Sequence, residues 1–209
     1  MEPINKLLDN NLRWAEAITF KNPNFFKDLE HEQKPEFLWI GCSDSRVAGD
    51  ILTGIHPGQM FVHRNIANMV VHTDLNLLSV LEYAVNHLKV EHIIVCGHYN
   101  CGGVKAAMGN QSFGLINKWV RNIKDVYRIH RTELDAIESE QGRFNRLVEL
   151  NVEEQVFNLA KTSIIQEAWK KYQGPHLHGW VYGLGDGKIK PILDMTHEDH
   201  LDAIYEFEL

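Results

Sequence analysis

One stretch of the chain carries a histidine and a cysteine directly after an apolar run. Residues 93–96 are apolar, and His98, Cys101 and the pair Gly102 and Gly103 follow. The run is typical of a strand buried on both faces, and the glycines permit a tight turn or close approach to a ligand. Imidazole and thiolate both bind a borderline-soft metal such as zinc, but two ligands do not complete a zinc site.

A second stretch has the same organisation, because the apolar residues 37–40 precede Gly41 and Cys42. Functional groups gather beyond the carboxyl ends of strands in open parallel sheets, so we expect Cys42 beside His98 and Cys101 if the strands are neighbours. Two cysteines and one histidine leave one position of a tetrahedral zinc open, which is typical of a catalytic site. Zinc lowers the pKa of its bound water to about 7 and thereby supplies hydroxide near neutral pH.

Asp44 and Arg46 follow Cys42 at alternate positions. They could form an ordinary surface ion pair. Alternatively, Arg46 could hold Asp44 in a fork of hydrogen bonds, leaving the carboxylate either to orient the hydroxide or to bind the zinc itself. Because these two roles exclude one another, a swing of Asp44 between Arg46 and zinc would be an on/off switch.

The remaining cysteine and histidines receive structural interpretations. Cys96 lies inside an apolar run and is expected to be a buried core thiol. The chain has 12 histidines, and apart from His98 they are scattered without zinc-ligand spacing, so we expect most of them at surface or core positions. Three cysteines do not make a disulfide framework, and metal binding or catalysis is the better interpretation for at least two of them.

Composition indicates a soluble globular protein. With 209 residues, 44% of them apolar, the chain can bury a substantial core, and we expect a single domain over residues 1–209. A formal charge of -7 and dispersed basic residues argue against nucleic acid or anionic lipid as a partner. No export signal or long apolar run is present, so we expect a cytoplasmic protein that does not contact a membrane.

Hydrophobic periodicity predicts helices and strands in alternation. Residues 1–34 are predicted to form a helical arm, whose helix over residues 3–21 either docks on its own domain or reaches a partner subunit. The core is predicted over residues 35–209, with a polar segment before it and a solvated connection at 131–143. Strands are predicted at residues 37–40, 59–65, 93–96, 176–182 and 189–193, and helices at 74–89, 103–108, 115–130 and 145–172.

The two metal-ligand stretches carry a resemblance to a known family. Residues 42–46 (CSDSR) and 97–103 (GHYNCGG) resemble the β-class carbonic anhydrases, and so do residues 61–68 (FVHRNIAN) and 82–85 (EYAV). The similarity extends from about Trp14 to Tyr182. It implies an α/β fold in which helices flank a mainly parallel central sheet, with a homodimer as the minimal unit, often paired into a homotetramer.

The resemblance also implies an activity, the reversible hydration of carbon dioxide to bicarbonate by attack of zinc-bound hydroxide. It makes Cys42, His98 and Cys101 the ligands of one zinc ion per chain and makes Asp44 with Arg46 the catalytic pair. The same resemblance places three pocket residues by offset, Gln33, Phe61 and Tyr83, on a carbon dioxide pocket that crosses the dimer interface. The backbone N–H of Gly102 is a candidate donor to a substrate oxygen.

A second, non-catalytic bicarbonate site occurs in some bacterial members, and residues of the same types stand at matching places here, Trp39, Arg64 and Tyr182. The hypothesis is that bicarbonate bound there breaks the pairing of Asp44 with Arg46 and lets Asp44 close the zinc site. The alternative is structural: Trp39 as strand core, Arg64 as an interface ion pair and Tyr182 as a packed strand residue.

Three other functions remain open at this point. The same hydroxide could attack carbon disulfide or carbonyl sulfide. A zinc-stabilised binding module would instead fill all four metal positions with Cys42, His98, Cys101 and Asp44. Cys101 could also act as a redox or acyl-transfer nucleophile, although a zinc-bound thiolate is not free to attack.

Overall fold

The computed structural model describes residues 3–209, which divide into two compact units with the boundary between Lys34 and Pro35. The first unit has two helices, α1 (Pro3–Lys21) and α2 (Phe25–His31). The helix predicted for residues 3–21 is therefore present, while α2 lies in a segment predicted only as polar. Residues 1 and 2 of the predicted arm lie outside the described residues.

Packing inside the first unit is sparse. Trp14 of α1 meets Phe26 of α2 edge to face, with ring centroids 5.5 Å apart. Neither helix contributes a buried side chain within residues 3–34, and α1 leaves Ile4, Leu7 and Leu12 more than half exposed. The amphipathic pattern of α1 is thus real, but its apolar side is not covered within this unit.

The second unit is built on one sheet, whose five strands among the residues described are β1 (Phe37–Cys42), β2 (Met60–Asn65), β3 (His92–His98), β4 (His176–Tyr182) and β5 (Ile189–Met195). Their order across the sheet is β2-β1-β3-β4-β5. Neighbouring strands β2, β1, β3 and β4 are parallel, and β5 pairs with β4 antiparallel. The predicted mainly parallel sheet flanked by helices is confirmed.

Helices join these strands. They are α3 (Gly49–Thr53), α4 (Leu75–Glu82), α5 (Gly102–Met108), α6 (Ile116–Ile129), α7 (Arg131–Asp135), α8 (Glu140–Ala160) and α9 (Ser163–Tyr172). Asp74 caps α4 by accepting a hydrogen bond from the backbone N–H of Asn76, and a wider π-helical turn, Tyr83–Leu88, continues it. In the solvated connection predicted at 131–143, the structure has α7 and the first turn of α8.

The prediction of a single helix at 145–172 was wrong. It is two helices, α8 and α9, because the Thr162 side chain accepts from the N–H of Ile165 and so starts a new helix. A Ser, Thr, Asp or Asn side chain that accepts from the first turn is the usual N-cap of a helix. The apolar pattern continues across the break, which is why periodicity alone did not reveal it.

The sheet has two unequal faces. One face places Leu38, Ile40, Ile93, Val95 and Leu177 in the main core, against which α8 packs. The other face carries a smaller cluster of Trp39, Ile94 and Cys96, with Trp180 and Tyr182 packed beside it. Of the helices in residues 3–209, none is both long and apolar enough to cross a membrane.

Candidate metal centre

Three metal-binding side chains meet at the carboxyl edge of the sheet. Cys42 ends β1, His98 ends β3, and Cys101 is the N-cap residue of α5. Because β1 and β3 are parallel neighbours, their ends are adjacent, and one donor atom from each residue lies within 4.8 Å of the others. The side chains are 5%, 0% and 1% exposed. The residues expected to be metal ligands are thus brought together, in a site closed to bulk water.

The chemistry of this donor set fits a zinc ion. The Sγ atoms of Cys42 and Cys101 are 3.9 Å apart. Their hydrogen bond lowers the pKa of Cys42 to about 4, while the same contact and burial raise the pKa of Cys101. The two sulfurs therefore share one proton, and a cation must replace it before both can be thiolates.

His98 presents a lone pair to the same place. Its Nδ1 donates to the carbonyl of Tyr99 at 3.0 Å, which leaves Nε2 as the unprotonated nitrogen. That Nε2 is buried and has no hydrogen-bond partner among residues 3–209. A buried polar atom without a partner costs stability, so an imidazole nitrogen aimed at two sulfurs indicates a metal position.

Tyr99 fixes the loop that carries His98. Its hydroxyl donates to Glu149 Oε1 at 2.6 Å, and its backbone N–H donates to the carbonyl of Tyr182 at 3.0 Å. Glu149 also accepts from Lys190 at 2.8 Å and from Arg146 at 3.2 Å. The carbonyl that orients His98 is thus tied to α8 through the Tyr99 side chain and to β4 through its backbone.

A strained turn supports Cys42. Ala67 and Asn68 both have left-handed backbone conformations, with φ of 64° and 48°, which cost about 1–2 kcal/mol for a residue with a side chain. In return, the N–H of Ala67 lies 3.4 Å from Cys42 Sγ. Asn151 of α8 holds the turn, because its Nδ2 donates to the Ala67 carbonyl at 3.2 Å.

Gln155 extends the same support. Its Oε1 accepts from the N–H of Val70 at 2.7 Å, and its Nε2 donates to Asn151 at 3.3 Å. Both amide side chains are 1% exposed. Neither amide was expected from the sequence, although two amides four residues apart, each next to apolar residues of a helix, are a detectable signal of a buried hydrogen-bond network.

Gly97 permits the close contact between β3 and α8. A Cβ atom at this position would lie 2.6 Å from Cγ2 of Val152, closer than packed carbon atoms come. Glycine next to His98 therefore lets the end of β3 lie directly on α8. The helix that carries Glu149 and Asn151 is held against the metal ligands for this reason.

Asp44 lies next to the cluster of Cys42, His98 and Cys101, but both of its carboxylate oxygens are hydrogen-bonded to Arg46. Its Oδ1 accepts from Nε of Arg46 at 2.9 Å and from the Arg46 N–H at 3.0 Å, and its Oδ2 accepts from Nη2 at 2.7 Å. These hydrogen bonds hold the pKa of Asp44 well below its ordinary value, so the carboxylate stays ionised. Asp44 Oδ2 is 3.8 Å from Nε2 of His98. The structure has the hydrogen-bonded fork predicted from the sequence.

Comparison with known proteins identifies the family. The family model for carbonic anhydrase matches residues 37–189. A carbonic anhydrase of Emericella nidulans is 51% identical over 187 residues, which cover 90% of this chain and 82% of the relative. The chain belongs to the β-carbonic anhydrases.

Solved structures agree with this family. A tetrameric β-carbonic anhydrase from the filamentous ascomycete Sordaria macrospora aligns with a TM-score of 0.89 and 42% identity, covering 93% of this chain and 100% of that one. The β-carbonic anhydrase of Coccomyxa in complex with acetazolamide also aligns with a TM-score of 0.89, at 40% identity over 94% of this chain and 89% of that one. The bacterial subtype suggested by the sequence is not confirmed, since the Emericella and Sordaria relatives are fungal.

Two of the expected pocket residues of this β-carbonic anhydrase lie together. The ring centroids of Phe61 on β2 and Tyr83 after α4 are 5.8 Å apart, and Tyr83 is 43% exposed. Gly102 is exposed in the first turn of α5, where a backbone N–H has no acceptor within the helix. Gln33 is an exposed residue that follows α2 in the first unit.

Of the expected bicarbonate residues, Trp39 and Tyr182 pack in the same small cluster. The Trp39 indole is fully buried over Gly41, where a Cβ would lie 2.2 Å from its Nε1, and that nitrogen has no partner within the described chain. Arg64 donates to three backbone carbonyls, those of Cys42, Asp44 and Val47, at 2.6–2.9 Å. Within the described chain, Arg64 thus braces the turn that carries Asp44.

Proposed function

We propose that the chain catalyses zinc-dependent, reversible hydration of carbon dioxide to bicarbonate and a proton. The observation that carries this proposal is a buried Cys-His-Cys cluster beside an ionised carboxylate held by arginine. Cys42, His98 and Cys101 would hold one zinc ion per chain. When bound there, zinc acts as a Lewis acid that lowers the pKa of a water to about 7.

The residues around the cluster have distinct roles in this proposal. Asp44 accepts a hydrogen bond from the attacking water and orients its lone pair toward carbon dioxide. Arg46 keeps that carboxylate ionised and fixed by three hydrogen bonds. The N–H of Gly102 donates to a substrate oxygen as negative charge develops on it.

Metal removal tests the proposal directly. The zinc content and hydration rate of the enzyme should fall together on treatment with a strong chelator and recover together when zinc is returned. The measurement uses stopped-flow hydration assays and elemental analysis between about pH 7 and 9. Full hydration by protein shown to be free of metal would refute the assignment.

The other functions considered from the sequence are not favoured. The relatives are carbonic anhydrases, and nothing about the site points to carbon disulfide or carbonyl sulfide. A four-ligand zinc module needs an oxygen of Asp44, yet both oxygens are bonded to Arg46. Cys101 is a poor free nucleophile, because Cys42 and burial raise its pKa.

We also propose that Trp39, Arg64 and Tyr182 form a second bicarbonate site. The buried, unpartnered Trp39 Nε1 supplies a donor, and bicarbonate would compete for the Arg64 donors that brace the Asp44 turn. Release of that turn would free Asp44 from Arg46 and let it close the metal position. Wild type should then show a steep loss of activity at low pH and with added bicarbonate, which Trp39→Phe relieves. A single simple ionisation in both proteins would contradict this proposal.

The assembly proposed is a homodimer that pairs into a homotetramer, and the similar β-carbonic anhydrases of Sordaria macrospora are tetrameric. The arm, residues 1–34, would serve the contact between copies, while Pro35–Leu209 forms the catalytic domain. Gln33, Phe61 and Tyr83 would then line the carbon dioxide pocket across the dimer interface. Light scattering coupled to size exclusion should give four chains per particle, and a monomer with full activity would contradict the shared pocket. A cytoplasmic location is retained as a prediction.

A further inference from the structure

Strand pairing collects three histidines at the amino edge of the sheet. His92 begins β3, and His176 begins β4 directly opposite it in the parallel register. His178 lies two residues further along β4, and side chains two apart on a strand share a face. These residues are far apart in the sequence, so chain spacing alone does not reveal them. The length of β3 separates them from His98 by about 20 Å.

His92 lies at ligand spacing from each of the other two rings, but the nitrogens of all three do not lie within 4.8 Å of one another, so the His176 ring must turn to complete the set. The ring centroid of His92 lies 5.2 Å from that of His178 and 5.6 Å from that of His176. Imidazoles that share a tetrahedral zinc at about 2.0–2.1 Å have their centres about 5 Å apart. His176 is exposed, so its ring can turn toward the point that His92 and His178 already face.

Hydrogen bonds already set the tautomer of one ligand. His178 Nδ1 donates to Asp194 Oδ1 at 2.6 Å, which leaves its Nε2 as the acceptor. His92 Nδ1 lies 3.0 Å from that Nε2 and donates to it. A carboxylate behind a histidine is the usual outer partner of a metal-bound imidazole, because it orients the ring and raises its basicity.

We propose that His92, His176 and His178 bind a divalent transition metal ion of the borderline class, with Asp194 as the residue that orients His178. The ion takes the place of the proton between His92 and His178. That proton moves from Nδ1 to Nε2 of His92, so the ligand stays neutral and no proton need be released. Imidazole nitrogen suits zinc, copper and nickel, whereas an oxygen-seeking ion such as magnesium is not expected.

The surroundings favour a cation as well. Glu36 and Glu91 act electrostatically on His92, and Asp194 touches His178. Burial lowers the pKa of His92, so its ring is neutral at physiological pH and has a lone pair to give. The carboxylates of Glu36, Glu91 and Asp194 thus surround the three histidines with negative charge, which favours binding of a cation.

Nickel is a suitable probe, since it binds imidazole and can be told apart from the resident zinc. Zinc-loaded enzyme is titrated with Ni²⁺ by calorimetry, and zinc content is measured afterwards. We expect one nickel per chain with the zinc retained. Each of His92→Gln, His176→Gln and His178→Gln should weaken nickel binding at least about tenfold, and Asp194→Asn about tenfold. The matched controls, His56→Gln and His197→Gln, replace exposed histidines elsewhere and should bind as wild type does.

Two results would overturn the proposal. One is nickel binding that is absent in wild type or accompanied by an equal loss of zinc. The other is unchanged binding in the triple His→Gln variant. Anomalous diffraction from wild-type crystals soaked in nickel avoids any dependence on variants that fail to fold. A peak between the three rings supports the site, and a peak only elsewhere contradicts it.

Discussion

The two edges of one sheet both gather metal-binding side chains, but the carboxyl edge buries them and the amino edge leaves them partly exposed. At the carboxyl edge, Cys42, His98 and Cys101 are at most 5% exposed. At the amino edge, His176 is exposed and His178 is fixed on one side only, by Asp194. Strand β3 supplies a proposed ligand to each edge, His98 at one and His92 at the other. The comparison shows that metal-binding residue types alone do not make a rigid site. Burial and hydrogen bonds from surrounding residues are what fix the orientation of each side chain.

The largest effect is expected from a substitution that removes one member of the Cys-His-Cys cluster at the carboxyl edge of the sheet. Cys101→Ala should lose bound zinc and reduce carbon dioxide hydration by more than about 10³-fold, because one of the three proposed ligands is gone. Cys96→Ala is the matched control, since Cys96 is an equally buried thiol on β3 whose pKa is raised by burial. Elemental analysis and stopped-flow assays measure both effects. Equal zinc in the two variants would contradict the assignment of Cys101.

A second effect tests the hydrogen bonds around Cys42. Asn151→Leu removes the donor that holds the Ala67 carbonyl, so zinc affinity should fall about 10–100-fold and the free energy of unfolding by about 1–3 kcal/mol. The cobalt-substituted protein should also show shifted sulfur-to-cobalt absorption, which simple destabilisation would not cause.

The control for this experiment is Asn145→Leu on the same helix. Among residues 3–209, the Asn145 side chain hydrogen-bonds only to that of Gln141, at 2.8 Å. Its cobalt spectrum and zinc release rate should match wild type. Matching spectra in both variants would remove Asn151 from the set of positioning residues.

A smaller effect is expected at Tyr99. Glu149→Gln weakens the acceptor of the Tyr99 hydroxyl and should raise the rate of zinc release to a chelator by about tenfold. Glu153→Gln is the matched control, because Glu153 shares the Arg146 ion pair but is not bonded to Tyr99. If the two variants release zinc equally fast, Tyr99 does not depend on Glu149 for its position.

The smallest expected effect is on the pH dependence of stability, through His92 at the amino edge of the sheet. Burial lowers the pKa of His92 below its ordinary value of 6.5, so the unfolded chain binds the proton more readily. The free energy of unfolding should therefore decrease as pH falls through about 6.5 and level off below the folded-state pKa. His92→Gln should remove that part of the pH dependence in urea titrations at pH 5 to 8. An identical slope in the variant would mean that His92 is not the titrating group.

The sequence was informative where chemistry follows a strand directly. Apolar runs that end at Cys42 and His98 predicted adjacent strand ends, and parallel pairing of β1 with β3 explains why this worked. It was uninformative where a contact depends on register or docking. The meeting of His92 with His176 requires the pairing of β3 with β4, and the break at Thr162 is a local capping event inside a continuous apolar pattern.

The hydrogen bond from Asn151 to Ala67 has a consequence for folding during synthesis. It joins residues 84 positions apart in the chain. A nascent chain whose Cys101 has just left the ribosome already contains every proposed zinc ligand. It still lacks Asn151, so the strained turn beside Cys42 is not yet held by that hydrogen bond. Contacts of such long range form late, because the loop must close before they are made. The metal site should therefore mature only after helix α8 has left the ribosome.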